Sequence, residues 1–70
     1  MPMQLSEAVE ILVNLRAFFP INKVPDETLA LYAGDLLAYS VGDLTGACDL
    51  LRRGSEWFPS LAAIYRGCGD

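Results

Sequence analysis

Seventy residues carry five Lys or Arg against nine Asp or Glu, no His and an apolar fraction of 53%, for a net charge of −4. A chain this short makes one domain (1–70) and buries only roughly 60% of its unfolded surface, so part of the apolar excess must stay exposed or meet a partner. The acidity argues against unaided DNA or RNA binding, which needs clustered Lys and Arg, and the lack of His excludes Ser-His-Asp and Cys-His catalysis.

The first helix is expected over about 5–19. Leu5, Ala8, Val9, Leu12, Leu15 and Phe19 recur at helical spacing, flanked by Ile11 and Phe18, while Glu7, Glu10, Asn14 and Ala17 form the opposite stripe. Arg16 projects into the apolar arc, where its stem must cover the core with the head at the rim or meet a carboxylate. Pro20 stops this helix.

Val24-Pro25-Asp26-Glu27 is a helix start, with Pro at the first turn and acids over the positive end of the dipole. The second helix is expected over about 25–40, turning Leu29, Tyr32, Ala33, Leu36 and Tyr39 inward. Leu31 falls on the outer side with Asp35 and Ala38. Gly42 followed by Asp43 reads as a glycine stop and an Asp N-cap. A third helix follows over about 43–53, with Leu44, Ala47, Cys48 and Leu51 inward, Thr45, Asp49 and Arg52 outward, and Arg52-Arg53 at the negative end of its dipole.

Pro59 restrains Phe58 to extended backbone and opens a last helix over about 59–66, whose apolar side is Leu61, Ile64 and Tyr65. One or both of Trp57 and Phe58 plug the bundle. The fold class is therefore all-α, a compact three- to four-helix bundle with short connections.

Chemistry is sparse. There is no glycine-rich phosphate loop, the acids lie on solvent faces or helix starts, and Cys48 and Cys68 are expected to be two reduced thiols, not a zinc site or a disulfide framework. No enzyme activity, cofactor or metal is expected. No stretch has the ~20 uninterrupted apolar residues that cross a bilayer, and no export signal opens the chain, so no membrane contact and a cytoplasmic location are expected.

The order of features carries a resemblance. A helix closed by Phe18-Phe19-Pro20, a second with Leu29, Tyr32, Leu36 and Tyr39, then Gly42-Asp43-Leu44, Ala47 to Leu51, and Trp57-Phe58-Pro59-Ser60-Leu61-Ala62-Ala63-Ile64 resemble the N-terminal domain of phage replicative helicase loader/inhibitor proteins. The resemblance covers roughly Leu5 to Arg66, and Phe58, Pro59, Ser60, Leu61, Ala62 and Ile64 carry most of it. It departs from the family at Ala63, where an acid is common, and at the end, since those loaders continue into a flexible extension that contacts the helicase.

What the resemblance implies is a non-enzymatic adaptor that binds the ring-shaped replicative helicase and holds it inactive before delivery to an origin. Candidate partner-binding residues are Leu31, Arg52, Arg53, Trp57 and Arg66. Other classes compatible with the sequence are a phage or bacterial helical protein that inhibits another host protein, a small DNA-binding bundle using Arg52, Arg53 and Arg66, and a homo-oligomer.

Overall fold

In the computed structural model, which describes residues 3–69, the first apolar arc folds as α1 (Leu5–Arg16). Of the expected 1–70 domain, Met1, Pro2 and Asp70 lie outside the described residues. Glu7 Oε1 accepts the Gln4 N–H at 2.9 Å, which satisfies a donor that helix geometry leaves without a partner. Ala8, Leu12 and Leu15 are buried, but Leu5, expected in the same arc, is 50% exposed, while Met3, two residues earlier, is buried in the core.

α1 stops at Arg16, three residues before the expected end. Phe18 N–H donates to Leu15 O at 3.1 Å and Phe19 N–H to Arg16 O at 2.9 Å, so the chain tightens into short-range turns ahead of Pro20. The tightening swings Phe19 under the bundle, where it is buried, and leaves Phe18 outside.

Pro25 is the N-cap of α2 (Asp26–Asp35) and not its first helical residue. Across the connector, Arg16 Nη1 donates to Val24 O at 3.0 Å and to Asp26 Oδ1 at 2.6 Å, so the charge inside the apolar arc finds both a carbonyl and a carboxylate. The second helix was expected to reach 40, but it ends at Asp35. Turns with Leu36 N–H on Ala33 O and Tyr39 N–H on Leu36 O, each at 3.1 Å, then lead to Ser40.

Ser40, and not Asp43, caps α3 (Val41–Gly54): its Oγ accepts the Asp43 N–H at 3.1 Å. The expected start at 43 is thus two residues late. Gly42 lies in the first helical turn and Asp43 supplies the acid there. Similarly, Ser60 Oγ accepts the Ala63 N–H at 3.2 Å and caps α4 (Leu61–Gly67), which leaves the buried Pro59 ahead of the helix it was expected to open.

The all-α bundle pairs α1 with α2, α1 with α3, and α3 with α4. No strand occurs among the described residues. Leu12, Leu29, Leu36, Leu44 and Ile64 are its fully buried large side chains, one or two from each helix or its flank. Each contributes about 1.5–3 kcal/mol by leaving water. Gly67 brings α4 close to α3, for a Cβ at that position would stand 2.8 Å from Ala47 Cβ.

The Trp57-Phe58 pair divides. Phe58 packs edge-on to Phe19 with ring centroids 6.0 Å apart, lies 6.2 Å from the Tyr32 ring, and donates its N–H to Asn22 Oδ1 at 2.6 Å. Trp57, the next residue back, is 65% exposed.

Candidate docking surface

α1 and α3 pack against each other. A cleft of about 310 Å³ opens between them, lined by Ile11, Asn14, Leu15 and Phe18 on one side of the sequence and by Thr45, Cys48, Asp49 and Arg52 of α3 on the other. Positions 11, 14, 15 and 18 recur at helical spacing through α1 and the turn that follows it, which is why they share one side.

At the end of this cleft the Arg52 guanidinium carbon lies 4.8 Å from the centre of the Phe18 ring, a cation–π arrangement. Arg52 Nε also donates to Asp49 Oδ1 at 3.0 Å. Two contacts hold the side chain down, so a residue expected to face outward is half-buried.

Beyond Phe18 the surface continues into a second cleft of about 270 Å³, walled by Phe18, Phe19, Pro20 and Ile21 on one side and Glu56 and Trp57 on the other. Phe18 is shared by both clefts. With Phe18 57%, Ile21 86% and Trp57 65% exposed, three large apolar side chains gather on one end of the molecule. Presenting on the order of 400–500 Å² together, they reach the size at which an apolar patch is often functional.

The candidate residues from the sequence are divided by this geometry. Arg52 and Trp57 line the two joined clefts. Arg53, exposed in the last turn of α3, lines neither. Leu31, 72% exposed on α2, and Arg66, exposed on α4, line neither. Phe18 and Ile21 were missed as site residues. The available signal was the Phe18-Phe19-Pro20 run: adjacent helical side chains diverge by about 100°, so only one of the two phenylalanines can enter the core.

A third, more open cleft of about 460 Å³ surrounds the Arg16–Asp26 pair and the connector with Lys23. No polar or charged side chain is buried among the described residues. Nor do these residues include a group of three or more His, Cys, Asp or Glu placed to hold a metal. No helix among them is long and apolar enough to cross a membrane. Burial pushes the Cys48 thiol up to about 11, with Cys68 and then Asp49 adding to the effect, so it stays protonated at neutral pH and is a poor nucleophile.

Comparison of the chain with protein-family models, with curated proteins and with solved structures finds no match.

Proposed function

We propose that this chain is a non-enzymatic protein-binding adaptor, and that its partner is a hexameric replicative helicase, as the resemblance to phage helicase loader/inhibitor domains implies. The observation that carries the protein-binding reading is the joined surface of Phe18, Ile21 and Trp57, which leaves a small domain with apolar area it does not use for its own core. A large aromatic anchor beside an Arg rim is the composition of binding hot spots, and Trp57 with Arg52 and Arg53 fits it. Support for the helicase comes from the segment Trp57 to Ile64. Within it, Phe58 faces the core and Trp57 the solvent, so the segment both holds the bundle and presents the anchor.

Light scattering after size exclusion tests the reading, with the chain run alone and then mixed with a replicative helicase from a bacterial host. Co-elution with the hexamer is expected, and Trp57→Ala should abolish it or weaken it by about tenfold or more. Separate elution of the native chain and the helicase at micromolar concentrations would sink the helicase assignment.

A further inference from the structure

Phe18 stands between two clefts that differ in one respect. In the first, this chain supplies an aromatic ring, a carboxylate and a guanidinium together: the Arg52 guanidinium carbon lies 4.8 Å from the centre of the Phe18 ring, and Arg52 Nε donates to Asp49 Oδ1 at 3.0 Å. In the second, the lining residues again include aromatic rings, Phe18 and Trp57, and a carboxylate, Glu56, but no Lys or Arg. The ion pairs among the described residues join Arg16 to Asp26 and Arg52 to Asp49, so Glu56 has no cationic partner among them.

We infer that the second cleft takes an arginine side chain of a partner protein, with its guanidinium on the Trp57 ring beside the Glu56 carboxylate and its aliphatic stem against Ile21. This rests on the protein-binding reading above and adds the partner's contact chemistry to it. Trp is the best side-chain platform for a cation, and Arg52 already covers the Phe18 ring. Arg suits the cleft better than Lys, because a planar guanidinium stacks on a ring while its N–H groups still reach a carboxylate. An uncharged side chain seated here would strip water from Glu56 and return no bond, so charge as well as apolar area selects the occupant.

Size points the same way. At about 270 Å³ the cleft falls below the ~300–1,000 Å³ typical of ligand pockets and suits a single side chain. Its walls have surface to lose, since Phe18, Ile21, Glu56 and Trp57 are all exposed, and the stem of an arginine covers apolar area that the fold leaves in water. A second copy is a poor donor of that arginine, because two chains of net charge −4 repel.

Trp57 is the only tryptophan in the chain, so its fluorescence reads the cleft directly. The probe is the blocked peptide acetyl-Leu-Arg-Leu-amide, and the control carries citrulline in place of Arg, which keeps the shape and loses the charge. At low ionic strength the Arg peptide should change Trp57 emission and bind the native chain about fivefold tighter than the citrulline peptide. The amide resonances of Ile21, Asn22, Glu56 and Trp57 should shift with it. Glu56→Gln, a change at an exposed side chain, should bring the two peptides to within about twofold of each other. The comparison of peptides on the native chain stands without that variant.

Equal affinity for the two peptides overturns the inference, as do shifts confined to the acidic residues of α1 and α2, which would report the net charge of the chain and not a site. A dimer by light scattering that protects the same four amides and is lost on Arg53→Ser or Arg66→Ser also overturns it, by making a second copy the occupant. Helicase co-elution that Trp57→Ala abolishes and Glu56→Gln leaves intact keeps the adaptor and removes the arginine contact. Arginine-selective binding without helicase binding keeps the contact and removes the helicase.

Discussion

The Cys48 thiol lies against Leu15 in the cleft wall, and burial, reinforced by Cys68 and Asp49, pushes it up to about 11. Its folded form therefore keeps a proton that the unfolded chain loses above the ordinary thiol value of 9.0. The unfolded state binds fewer protons across that interval, so stability is complete below pH 9 and falls as pH rises toward 11. The shift of roughly two units corresponds to a loss of about 2–3 kcal/mol at the upper limit. Urea unfolding at about pH 8 and about pH 10.5 should record a loss of roughly 2 kcal/mol in the native chain and much less in Cys48→Ala. Equal losses in both would assign the slope to other groups. Arg16 offers a contrast at the same scale. Its carboxylate partner Asp26 has a side chain 89% exposed, so the ion pair is weakly stabilising and the bond to Val24 O fixes the connector more firmly.

Among elements, the α3–α4 contact is the most sensitive to size. A Cβ on Gly67 would meet Ala47 Cβ at 2.8 Å and Ala47 Cα at 3.3 Å, and neither atom can rotate away. Gly67→Ala should cost about 1–3 kcal/mol despite its better helix propensity, and adding Ala47→Gly should recover part of that in thermal melts. A stabilised Gly67→Ala would mean that α4 slides freely on α3. The existence of four helices follows from the spacing of apolar residues and the prolines, and these are local signals. The boundary between α2 and α3 does not, because Ser40 and Asp43 both look like caps and only the Ser40 Oγ bond to the Asp43 N–H decides between them. Gly42 added to the ambiguity, since glycine ends helices by conformation but tolerates a first turn equally well. Which of Trp57 and Phe58 faces inward was also beyond local signals, being set by Asn22, Phe19 and Tyr32 far away in the chain.

For the whole molecule, the two joined clefts assemble residues from 11 to 22 with residues from 45 to 57, so this surface exists only in the folded state. That is why Arg52 and Trp57 could be named from sequence as exposed candidates, whereas their meeting with Phe18 and Ile21 could not. Because Ile21 and Trp57 are mostly in water, replacing both with Ser should change unfolding free energy by only about 0.5 kcal/mol each while raising the solubility limit. Urea unfolding with a precipitation assay checks this, and a loss of several kcal/mol would place the two side chains in the core instead. The Asn22 Oδ1 bond to the Phe58 N–H spans 36 residues and joins the bend after α1 to the bend before α4. It couples the fraying of one bend to that of the other. A seven-residue helix that would melt alone thereby shares the cooperative opening of the bundle, and the Phe58 amide, outside any helix, becomes a hydrogen-exchange marker for the moment that α4 departs.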